Sequence, residues 1–67
     1  MKKKKYKVVD LLESKETIGY ADTIAEIKRL AKYWTENVAE EAAIFYYPLN
    51  KVTGKYIFSD RVFLETY

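Results

Sequence analysis

Tyr20-Ala21-Asp22-Thr23-Ile24-Ala25-Glu26 is the stretch on which the fold turns, because it passes from a strand end into a capped helix within seven residues. The Thr23 hydroxyl is placed to accept the amide three residues on, and Glu26 is placed to reach back to the Thr23 amide. Beyond this start, Ile24, Ile27, Ala31, Trp34 and Val38 recur at three- and four-residue spacing, and Leu30 widens the stripe. Glu26, Lys28, Arg29, Lys32 and Glu36 fall on the other side, so one face is predicted buried and one wet. Asn37 suits a left-handed terminator, which predicts a helix end near Glu36.

Upstream, Tyr6 to Leu12 is rich in branched and apolar residues and is stopped by the polar run Glu13 to Glu16, after which Thr17 to Ala21 reads as a second strand. Gly19 inside that strand predicts a bulge or a close backbone approach. Downstream, Glu41 to Tyr47 reads as strand three, ended by Pro48, which has no amide to give a ladder. Leu49 to Gly54 then forms a loop, and Lys55-Tyr56-Ile57-Phe58 begins a fourth strand. Past Ser59-Asp60, the segment Arg61 to Tyr67 extends that strand beyond a bulge, makes a fifth strand, or forms a terminal helical turn; its composition favours a strand. The expectation is an α+β fold: a small antiparallel sheet of four or five strands with one helix on one face, in the order β-β-α-β-β. Residues 1–5 are expected to form a disordered basic arm and residues 6–67 a single domain.

With 67 residues, the chain has room for one domain, near the lower limit at which a single core offsets chain entropy. It contains neither cysteine nor histidine, so disulfide staples and a zinc-held fold are excluded on ligand grounds. Stability must come from packing, and seven tyrosines, three phenylalanines and one tryptophan are the large apolar side chains available for it. The formal net charge of +2 conceals an asymmetry: without Lys2 to Lys5, eight basic residues remain against ten acidic ones. No apolar run is long enough to span a bilayer, and no signal-peptide segment follows the lysines, so a cytoplasmic location is expected.

For chemistry, the candidates are Asp10, Glu13, Glu16, Asp22, Glu40, Glu41, Asp60 and the serines. Asp10 interrupts an apolar strand, where burial would raise its pKa and suit it to general acid work; an edge position facing solvent or pairing with a lysine is the plainer expectation. Glu40-Glu41 lacks the alternating oxygen ligands and turn glycine of a calcium loop. No catalytic residue, metal, cofactor or small-molecule substrate is therefore expected.

A lone amphipathic helix covers one face of a sheet, yet these strands carry apolar residues at consecutive positions and present them to both faces. Ala42, Ile44 and Tyr46 oppose Ala43, Phe45 and Tyr47 in strand three. Tyrosine tolerates water and is enriched where proteins meet partners, so an aromatic sheet face docking on a protein, either a second copy or a host factor, is the leading expectation. Tyr46, Tyr47, Tyr56, Phe58, Phe63 and Tyr67 are its candidate contacts. The alternative is a nucleic-acid-binding domain in which Lys2, Lys3, Lys4 and Lys5 act with Lys28, Arg29 and Lys32 on the exposed helix face to neutralise phosphates, with Tyr33 stacking on a base. The junction Tyr20 to Glu26 resembles the strand-to-helix junction of HicB-like antitoxin domains, in which a small sheet and helix bind a toxin; the family's glycine-rich strands are absent, and the function is not carried over. The small size, lysine start and lack of catalytic residues give the chain the character of a phage or mobile-element product.

Overall fold

The structure is a computed structural model and describes residues 3–12 and 15–64. Thr23 starts the helix as its context requires: its backbone is extended and its side-chain oxygen accepts the Glu26 amide at 3.2 Å. The Glu26 carboxylate answers by accepting from the Thr23 hydroxyl at 3.5 Å, not from its amide. The helix α1 runs Ile24–Asn37, one residue beyond the expected end, and no described non-glycine residue has positive φ. Asn37 is therefore not a left-handed terminator; its side-chain amide caps the Tyr33 carbonyl at 3.0 Å, while the Val38 and Ala39 amides both turn back to the Trp34 carbonyl. The buried stripe is narrower than the spacing implied. Ile27 and Ala31 are fully enclosed, but Ile24 and Val38 at the two ends are exposed.

Around the helix lie β1 (Tyr6–Asp10), β2 (Glu16–Ala21), β3 (Ile44–Asn50), β4 (Lys55–Tyr56), a 3₁₀ turn (Phe58–Asp60) and β5 (Val62–Phe63). This is the expected α+β class in the expected order, with every strand pair antiparallel. The strands lie β2-β1-β3-β4, and β5 also pairs with β3. Phe45 pairs with Val9 on one edge and Phe63 on the other, so β4 and β5 share the β3 edge away from β1. In the β1–β2 hairpin, Val8 faces Gly19 but Val9 faces Thr17, leaving Ile18 as the extra residue of a bulge. The close approach expected at Gly19 is present too, since a Cβ there would stand 3.3 Å from Leu30 Cδ1. Helix and strand meet where a side chain is missing.

Strand three runs later than expected, from Ile44 through Pro48 to Asn50, with Ala42 and Ala43 preceding it. Proline breaks a ladder only on the side its nitrogen faces, and here that side holds the outer edge. The Pro48 carbonyl accepts the Ile57 amide at 3.2 Å, but Pro48 has no N–H to return to the Ile57 carbonyl. Ile57 O accepts from the Asp60 amide instead, at 3.2 Å, and that bond closes the 3₁₀ turn. The outer strand is thereby cut in two: β4 ends at Tyr56 and the pairing resumes at Val62. At the β3–β4 turn, Gly54 takes φ of 71°, and the Asn50 side chain accepts the Val52 and Thr53 amides.

Against the helix, Val8, Ala21, Ile27, Ala31, Ile44 and Leu64 form one buried cluster, flanked by Tyr6, Ile18, Leu30, Trp34, Ala42 and Tyr46. Asp10 fastens this layer. It is only 7% exposed, and its Oδ1 accepts the Leu12 and Ala43 amides while Oδ2 accepts Trp34 Nε1 at 2.9 Å. The expectation of a solvent-facing or lysine-paired edge residue is thus overturned: one carboxylate holds β1, the approach to β3 and the helix together.

Candidate functional site

The second sheet face is concave. Tyr20 on β2 and Tyr56 on β4 stand three strand spacings apart, about 14 Å in a flat sheet, yet their ring centroids are 5.5 Å apart. The sheet curls, and its hollow side is partly filled by the chain itself. Val9 is fully buried there and Tyr47 is 2% exposed. The cover comes from the 3₁₀ turn set up by Pro48, which drops Phe58 edge-on to Tyr47, ring centroids 5.4 Å apart at 83°. Lys15 adds its ammonium 5.8 Å from the Tyr47 ring centroid and 5.2 Å from that of Phe58. Burial pushes the Tyr47 phenol above its ordinary pKa, against a smaller downward pull from Arg61. Burial also raises Tyr56, with smaller contributions from Tyr20 and Asp22.

The five described aromatic contact candidates therefore do not form one surface. Tyr46 points to the helix side and meets Tyr6 edge-on at 5.5 Å. Tyr47 is enclosed, and Tyr56 is half-buried with its hydroxyl donating to the Lys4 carbonyl at 2.8 Å. Tyr67 lies outside the described residues. Phe58 and Phe63 remain open, at 44% and 51% exposure. Between them in the chain stands Arg61, whose guanidinium carbon lies 4.4 Å from the Phe58 centroid and 5.8 Å from that of Phe45. Phe45 packs on Phe63 with centroids 5.2 Å apart. Phe45, Phe58, Arg61 and Phe63 thus make a continuous patch on the β5 edge. Arg61 and Phe45 were not among the expected contacts, although an arginine set between two phenylalanines in the sequence carries the signal.

A second concavity lies on the helix side at the hairpin end. It is a cleft of about 530 Å³ lined by Asp10, Leu12, Glu16, Trp34, Val38, Ala39, Glu40 and Glu41. Its deepest carboxylate, Asp10, has both oxygens committed to the three hydrogen bonds that hold the fold. Among the described residues no group of three or more acidic, histidine or cysteine side chains is placed to hold a metal ion.

The basic residues of the alternative reading lie on the N-terminal segment and on the helix. Lys2 lies outside the described residues. Lys3 donates to the Gly54 carbonyl at 2.6 Å, Lys4 pairs with Glu26 at 3.6 Å, and the Lys5 amide bonds Asp22 Oδ1 while its carbonyl accepts the Leu49 amide. Lys3, Lys4 and Lys5 thus each make a contact with the body of the domain. Lys28, Arg29, Lys32 and Tyr33 are exposed on the helix, with Lys32 4.0 Å from Glu36. No described helix is long and apolar enough to cross a membrane. The chain matches no family model, no curated protein and no solved structure.

Proposed function

We propose that this chain is a non-enzymatic interaction module of the cytoplasm that docks on a protein partner through the Phe45, Phe58, Arg61 and Phe63 patch. The observation that carries this reading is the exposure of Phe58 and Phe63 on either side of an arginine already stacked on aromatic rings. Arginine and aromatic side chains, phenylalanine included, are enriched at protein interfaces, and a guanidinium held in place before contact loses less freedom on binding. The site is narrower than a whole sheet face, because Tyr47 and Val9 are already enclosed. Its chemistry asks for a partner surface that sets apolar side chains beside a carboxylate.

The test separates binding from folding. Phe63→Ser and Arg61→Gln should each melt close to the parent chain, since both side chains are exposed, yet lose the partner that the parent chain retains from native cell extract. Variants that hold that partner as firmly as the parent chain end this proposal.

A further inference from the structure

The Arg61 patch has a counterpart on the same molecule. In the hairpin-end cleft, Leu12, Trp34, Val38 and Ala39 supply apolar walls, and Glu16, Glu40 and Glu41 supply carboxylates. Leu12 is 49% exposed and Val38 58%, so the walls of the cleft keep open aliphatic surface. Among the described residues no lysine or arginine forms an ion pair with Glu16, Glu40 or Glu41. The helix ends beside the cleft with no basic residue in its last turn, so the negative end of its dipole adds to the same field. The cleft is built to receive a cation with an apolar body. The patch presents that combination: Arg61 and Lys15 flanking Phe58, with Phe63 beside them.

The two surfaces also lie at the same end of the sheet. Lys15, which reaches over Phe58, and Glu16, which lines the cleft, are adjacent in the chain. A surface and its complement placed close together on one molecule allow a two-fold arrangement in which each copy gives its patch and offers its cleft, so that association closes at two copies. We propose that the cleft of one copy receives the Arg61 face of a second copy, with Arg61 directed at Glu40 and Glu41 and the phenylalanines against Leu12, Trp34 and Val38. This names the partner of the patch, and so it rests on the docking function proposed for that patch.

The experiment is molar mass by light scattering over a wide concentration range at low and physiological salt, with the emission of Trp34, the single tryptophan, read in parallel. The expected result is a dimer that weakens with salt and changes Trp34 emission as it forms. Arg61→Glu and the double variant Glu40→Lys, Glu41→Lys should each weaken it about tenfold or more, as charge reversals at an interface do. Mixing the two variants should restore a pair. Circular dichroism establishes that each is folded, and Arg61→Gln serves as the milder variant. A chain that is monomeric at every concentration overturns the inference. So does a dimer lost with Arg61→Glu but indifferent to the Glu40 and Glu41 reversals; in that case the patch still docks, but not in this cleft.

Discussion

The two faces of the sheet are closed by different means. On the helix side the cover is an element of regular structure, the contacts are mainly aliphatic, and a single carboxylate, Asp10, pins strand, helix and loop. On the hollow side the cover is a 3₁₀ turn and the tips of long side chains, the contacts are aromatic and cationic, and the closure stops short of Phe58 and Phe63. The contrast teaches that a sheet apolar on both sides does not by itself require a partner. Curling and one interrupted strand hide most of the second face, and the contact surface shrinks to the part they leave uncovered.

An open hollow side would remove the difference between the two faces. Tyr47→Ala should cost about 3–5 kcal/mol, as for any enclosed aromatic, and Ile27→Ala on the helix side about 2–5 kcal/mol; chemical denaturation would measure both. A Tyr47→Ala loss below about 1 kcal/mol would mean that side is not a core at all. Asp10→Ala should come next, at about 3 kcal/mol, because it strands two amides and the Trp34 indole, all partly buried. Asp10→Asn, which keeps one oxygen for the two amides but turns a donor toward Trp34 Nε1, should lose less.

A smaller effect sharpens the account of how helix and sheet meet. Gly19→Val should cost about 1–3 kcal/mol through the contact with Leu30, and Gly19→Ala clearly less, since only Leu30 side-chain atoms stand near the added Cβ. The smallest effects lie at the Tyr47 hydroxyl, which has no hydrogen-bond partner among the described residues. Tyr47→Phe should leave stability unchanged or raise it by up to about 1 kcal/mol. The raised pKa of Tyr47 means the folded state holds the phenolic proton more tightly than the unfolded chain does. That stability is fully present below the ordinary tyrosine value of 10.0 and is lost as pH rises through the higher folded pKa. Alkaline melting curves should therefore fall less steeply for Tyr47→Phe than for the parent chain.

What the sequence made legible was local. Thr23, Glu26 and the apolar spacing after them act within a few residues, so helix and strand order could be read directly. Val38 was misassigned to the core because spacing says which face a residue takes but not where the opposing layer ends. Pro48 was read as a stop because proline's effect depends on which neighbour its nitrogen faces, a matter of register between distant strands. The same non-locality hid the contact site. Phe58 and Tyr47 meet only because the outer strand breaks opposite Pro48, and alternation along a strand cannot place a side chain in a 3₁₀ turn. Asp10 carried a visible signal, a lone acid among branched residues, whose partners become evident only when Trp34 and Ala43 are folded beside it.

Docking belongs, in the proposed function, to the uncovered rim of the hollow side and not to its floor. Its most direct test is partner retention by Phe63→Ala, purified and shown by circular dichroism to be folded. The expected result is a chain that melts within a few degrees of the parent and retains nothing the parent binds, a second copy included. A folded Phe63→Ala chain that associates as the parent does would contradict it.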